Sequence, residues 1–210
     1  MTLAPATLAQ LLAADPVAPA QRAIVQEVKT YLPGIAVILH PGKVDISELV
    51  GKSLVAAPGV GIGWSRVRTL RAIDGHYSLV VDWVAYIVAE ARPVESRRVE
   101  KEAVALAIGN QLMLMLADVD ICFWGLRGIS APEPVPGPEF KPLFTVADAA
   151  QGTVYYTVTW SQTLTGLGAT HMPTAIGRVI EDTTTIQYPS ADDLAEMDGW
   201  LAGGPEVSDA

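Results

Sequence analysis

The chain has 210 residues, half of them hydrophobic and 18% charged, with a formal net charge of −9. That length suits one domain with appendages and buries a core without disulfides or metals. A single cysteine, Cys122, excludes an internal disulfide and a cysteine-based zinc site.

The opening stretch, MTLAPATLAQLLAADPVAPAQR, has no basic run and is broken by prolines, unlike a secretory leader. Residues 6–14 and 20–31 carry helix-type apolar spacing, through Leu8, Leu11 and Leu12 and then Ile24, Val25 and Val28, with Asp15-Pro16 between them. Pro33-Gly34 stops the second helix, and IAVILH (35–40) has the pattern of a short buried strand. Residues 41–62 read as a loop punctuated by Pro41-Gly42, Pro58-Gly59 and Gly61. Within it, VGKS (50–53) resembles the end of a phosphate-binding loop, but Ile46 stands where the first glycine is needed. The run GVGIG (59–63) lacks the spacing of a dinucleotide-binding turn, so a flexible loop is expected there.

WSRVRTLRA (64–72) is expected to be a strand, with Trp64, Arg66 and Arg68 at alternate positions and Arg71 beyond. Trp and Arg are favoured at interface cores, so these four residues are the candidates for a subunit interface. The plainer reading is an amphipathic edge strand guarded by charges. Asp74-Gly75 marks a hairpin turn, and YSLVVDWVAYIVAEA (77–91) follows as a long strand. Its odd positions are all apolar and its even positions mixed, which predicts one face in the core and the other partly covered. Pro93 then suits the first turn of a helix over roughly 94–117, charged at its start with Arg98 and Glu102 paired, and apolar further on. Its run AVALAIGNQLMLMLA is shorter than the roughly 20 residues a membrane span requires. With no leader and no span, the chain reads as soluble and intracellular when made.

DICFWGLRGI (120–129) reads as a further strand. PEPVPGPEFKP (132–142) reads as a stiff connector or exposed arm. KPLFTVADAAQ resumes strand-like character, and TVYYTVTWSQT (153–163) alternates with Val154, Tyr156, Val158 and Trp160 inward. A short strand near 176–180 and a helix near 191–201 follow. Residues 181–210 hold eight acids and no Lys or Arg, which leaves the first 180 residues at −1. The expected organisation is therefore one domain over 1–180 and an acidic tail over 181–210. The tail is either a solvated arm or a clasp for a basic patch on a neighbour. Neither part has the clustered Lys and Arg that tight duplex DNA binding needs.

This order of elements predicts an α+β fold: a mixed, mostly antiparallel sheet with helices packed on one face, plus extended arms. Chemistry is hard to find in it. His40, His76 and His171 sit apart, without the converging ligands a metal needs. Cys122, between Ile121 and Phe123, reads as a buried inert thiol. No serine lies in a nucleophile elbow. No catalytic, cofactor or metal residue is assigned, and a non-enzymatic role is expected.

Several strings together carry a resemblance: YLPGIAVILHPG (31–42), the glycine-rich loop, the hairpin, and the apolar strand that runs into EARPVESRRVEKEAVALAIGNQL (90–112). Over roughly residues 20–162 the chain resembles the Gp37-type family of Mu-like phages, and more broadly the siphophage and myophage tail terminators. The resemblance implies a virion structural protein, a hexameric ring that ends tail-tube growth and joins the tail to a head-tail connector or stopper. Its implied partners are further copies of itself and the tail tube protein, with genomic DNA passing the lumen unbound; assembly would take place in the host cytoplasm. The proline-rich arm and acidic end depart from a minimal terminator. Another tail or neck subunit (tube, connector or baseplate) and a small α+β enzyme remain as alternatives.

Overall fold

A computed structural model describes residues 5–42, 55–73, 76–143 and 152–167, with 69–73 described by backbone alone. The chain divides into residues 1–172 and 173–210, and all described residues lie in the first unit. The expected strand near 176–180, the helix near 191–201, the acidic tail, VGKS, the Asp74-Gly75 turn and His171 lie outside the described residues.

Helix α1, Leu8–Ala14, opens with a capping box: Thr7 Oγ1 accepts from the Gln10 amide, and Gln10 Oε1 accepts from the Thr7 amide. Its leucines make one face, yet the helix buries no residue. Helix α2, Val17–Tyr31, has the Asp15 carboxylate at its start, accepting from the amides of Val17 and Ala18. It buries Ala20, Ile24, Val25 and Val28 against strands β1, Ala36–Leu39, and β2, Gly59–Ile73.

β1 runs parallel to β2. Strand β3, His76–Glu90, pairs antiparallel with β2, and β7, Thr153–Leu167, pairs antiparallel with β3 over nearly its whole length. Strand β6, Glu139–Pro142, completes a sheet in the order β1-β2-β3-β7-β6. The architecture is the expected one, a mixed and mostly antiparallel sheet with helices on one face.

Alternation explains which face is which. Val81, Trp83, Ala85 and Ile87 of β3 and Tyr156, Val158 and Trp160 of β7 meet α2 and helix α3, Lys101–Ala117, in the main core. Helix α3 contributes Ala105, Ile108, Leu112, Met115 and Leu116. Behind the sheet, Val84, Tyr86, Val88 and Tyr155 form a second, smaller cluster with Val55. The reading of β3 as buried on one face and partly covered on the other holds.

Four expectations need correction. Residues 59–62 belong to β2 rather than to a loop. Their glycines occur where other chain crosses the back of the sheet: a Cβ on Gly61 would stand 2.9 Å from Val55 Cγ2, and one on Gly63 would stand 3.0 Å from the Gly42 backbone. Second, the long helix begins at Lys101, not near 94. Strands β4, Arg92–Val94, and β5, Arg97–Val99, form a two-stranded hairpin before it, turning on Glu95 and Ser96 with φ of 48° and 67°. Two successive positive-φ residues make the tight turn that matches strand twist. Pro93 therefore sits in a hairpin, and Arg98 pairs with Glu100 at 3.1 Å rather than one helical turn ahead.

Third, residues 120–129 are a series of turns with one bridge, Ile129 to Leu164. Trp124, Gly125 and Gly128 have positive φ, so the backbone cannot stay extended, although Cys122 and Trp124 are buried as a strand would have them. Fourth, the proline-rich stretch is laid along β7. The amides of Ser130, Glu133 and Leu143 donate to the carbonyls of Thr163, Ser161 and Tyr155, with β6 in between.

Candidate functional site

Strand β2 outruns its neighbour. β1 covers only Gly59–Ile62, so from Gly63 onward β2 is itself a sheet edge among the described strands. Trp64, Arg66, Arg68 and Arg71 all lie on this free stretch. They do not share a face, however. Trp64 stands opposite Trp83, and Arg66 stands opposite Asp82, so Ser65 is an extra residue in the ladder. Such a bulge reverses the alternation. Trp64 follows Val60 and Ile62 onto the helix side, at its rim, while Arg66 and Arg68 turn to the back. Arg71 lies past a second register shift, opposite Ser78, and its side chain is outside the described residues.

The bulge brings two guanidinium groups onto one carboxylate. Arg66 Nε donates to Asp82 Oδ2 at 2.9 Å, and Arg68 Nη2 lies 2.8 Å from Asp82 Oδ1. Ser161 on β7 donates to the same Oδ1 at 2.6 Å and accepts from Arg68 Nη2 at 3.1 Å. Burial pushes the Asp82 carboxyl up, but the Ser161 hydrogen bond and the two arginines outweigh it and hold it below the ordinary carboxylate range. Arg66 is mostly exposed and Arg68 half-buried, so the network is anchored at Asp82 and opens outward.

A groove of about 540 Å³ lies over this cluster, closed on the far side by Pro136, Gly137 and Glu139. Its chemistry is largely spent internally. Asp82 accepts from three groups, and the Ser161 hydroxyl faces a carboxylate rather than an imidazole. The arrangement can hold a polar group of a partner against the outer side of Arg66. It contains no nucleophile with a free base beside it.

The other polar groups lie elsewhere. His40 is buried, its Nδ1 2.9 Å from the Gly42 carbonyl and its ring 4.9 Å from that of Tyr86. Nε2 has no hydrogen-bond partner among the described residues. Desolvation pulls its pKa down, against the raising effect of the Gly42 bond. His76 opens β3, far along the chain from His40. Cys122 is buried, and desolvation raises its thiol pKa. Among the described residues, no three His, Cys, Asp or Glu side chains come together as a metal site, and no helix is long and apolar enough to cross a membrane.

One fully satisfied buried polar group escaped the sequence reading. Gln162 faces the main core, where its Oε1 accepts from the indoles of Trp124 and Trp160 at 2.8 and 2.9 Å. Its Nε2 donates to the carbonyls of Cys122 and Ser130 at 2.8 and 2.7 Å. The signal was present: Gln162 continues the inward row Val154, Tyr156, Val158 and Trp160, where an apolar residue is expected. Asp82 gave a similar signal as the one acid between Tyr77 and Ala89.

Apolar surface is the more abundant resource. α1 leaves Leu8, Leu11 and Leu12 exposed, α3 leaves Leu106 and Leu114, and the edge strand β1 leaves Ile38 and Leu39. In sequence comparisons no protein-family model and no curated protein matches the chain.

Proposed function

We propose that this chain is a virion structural protein of the tail-terminator kind. Copies close into a ring, six by the resemblance noted above, at the end of a phage tail tube. The ring stops tube growth and offers its other face to a connector or stopper on the head side. The observation that supports this most is α3, which is apolar on the side it buries and apolar again on the side it leaves uncovered. A helix apolar all round belongs in an interior, and the described residues supply only half of that interior.

A closed ring also requires two different patches on each subunit, meeting head to tail. The leucine face of α1 and the outer side of α3 are two such patches on separate elements. The near-neutral first 180 residues suit a lumen through which DNA slides without being held. The groove over Asp82, with its charges paired internally, favours assembly over chemistry.

The test is to add the purified protein to polymerising tube subunits and measure tube lengths by electron microscopy. Shorter tubes with a distinct ring at one end are expected. A length distribution that does not change at saturating protein overturns the proposal.

A further inference from the structure

The cluster around Asp82 holds more positive charge than it neutralises. Two guanidinium groups converge on one carboxylate, which is held below the ordinary range and so stays ionised at neutral pH. Glu139, on the far wall of the groove, is paired with Lys141 at 2.8 Å. Three cations thus meet two carboxylates, and one positive charge has no counterpart among the described residues.

Arg66 presents that charge. Its Nε donates to Asp82 Oδ2, which fixes the plane of the guanidinium, and its two Nη groups have no hydrogen bond among the described residues. The Nη edge of the fork is therefore left over, and such an edge matches the two oxygens of a carboxylate. The side chain is 68% exposed, so a ligand can reach it. Thr159, half-buried in the groove, offers a hydroxyl that is likewise unpaired among the described residues.

Charge and size narrow the ligand. A phosphate group carries close to two negative charges near pH 7 and would leave an excess beside Asp82 and Glu139. A carboxylate carries one, equal to the charge that is unmatched. The groove, at about 540 Å³, is far larger than a bare carboxylate and of the size that accepts a small molecule or a short piece of chain. We propose that the groove over Asp82 binds a ligand with a single carboxylate, held on the free edge of Arg66, whose uncharged remainder lies along the walls at Thr159 and Pro136. This assignment rests on the cluster alone and not on the ring.

The test follows the Nε–H signals of arginine by NMR in the isotope-labelled full chain. Three probes are titrated: the aspartyl unit N-acetylaspartate N-methylamide, acetate, and inorganic phosphate. The signals of Arg66 and Arg68 should shift and saturate with the aspartyl probe at a Kd of about 1 mM or tighter. Those of Arg92 and Arg97, exposed on the β4–β5 hairpin, should not. Arg66→Gln leaves Asp82 with Arg68 and Ser161, so its backbone spectrum should match the wild type while binding weakens at least about tenfold.

Signals of Arg66 and Arg68 that move no more than those of Arg92 and Arg97 overturn the site. So does an Arg66→Gln variant that binds like the wild type. Phosphate that binds more tightly than both carboxylates overturns the ligand class. An aspartyl probe that binds more tightly than acetate supports the site and gives it to an acidic side chain of a polypeptide. Acetate that binds as well or better supports it and gives it to a free small acid. None of these results bears on tube length, so the ring stands or falls separately.

Discussion

Asp82 answers two arginines and a hydroxyl at once, so its ionisation is tied to folding. Its folded pKa lies below the unfolded value, so its contribution is complete above about pH 4 and fades as pH falls through the folded value. Asp82→Asn should therefore cost about 1–3 kcal/mol near pH 7, by removing the charge that Arg66 and Arg68 share and one of the two acceptor oxygens. The difference from the wild type should close below about pH 4, which urea unfolding across pH will show. His40 has the opposite consequence. Its folded pKa is depressed below about 6.5, so the unfolded chain takes up the proton first as the solution is acidified. Stability should fall as pH drops from 7 through that window. His40→Asn, which keeps a donor near the Gly42 carbonyl, should flatten the slope between pH 7 and pH 5.

At the scale of elements, what the chain's pattern revealed was periodic and what it hid was local. The alternation in 77–89 and 153–163 identified β3 and β7 together with their core-facing sides, and the Ile24, Val25 and Val28 spacing identified α2. The Ser65 bulge is one added residue without any mark in composition, yet it moves Arg66 and Arg68 away from the face of Trp64. The hairpin at 92–99 was concealed because Glu95 and Ser96 take left-handed backbone conformations usually reserved for glycine or asparagine. Residues 120–129 looked like a strand because burial, not extension, set their apolar content. Gln162 is what keeps those turns in place. Gln162→Leu removes one acceptor and one donor that serve four buried groups, and should cost about 3–5 kcal/mol in denaturant unfolding. The arginines of β2 were legible only as a pattern along one strand. Arg66 and Arg68 come together, but the carboxylate that joins them lies on another strand, and pairing of distant segments is not written in spacing.

For the whole molecule, the balance between buried and unburied apolar surface sets the expected behaviour. A subunit whose stability is completed by its neighbours melts at a temperature that depends on its concentration. The thermal midpoint of the wild type should rise measurably across a hundredfold increase in protein. That of the Leu11→Glu, Leu12→Glu variant should barely move. Calorimetry or fluorescence melting at several concentrations will check both.

The two rims of the sheet differ in a way that bears on such a particle. Along one rim, five prolines between residues 132 and 142 take the place of amide donors, so that margin has little with which to recruit a foreign ribbon of chain. The opposite rim, at β1, has no proline in its four residues. Lateral accretion by backbone pairing is thus opposed by proline on one flank and not on the other. A molecule built this way has a polarity of its own before it meets any neighbour, and disordered clumping is disfavoured from the proline side.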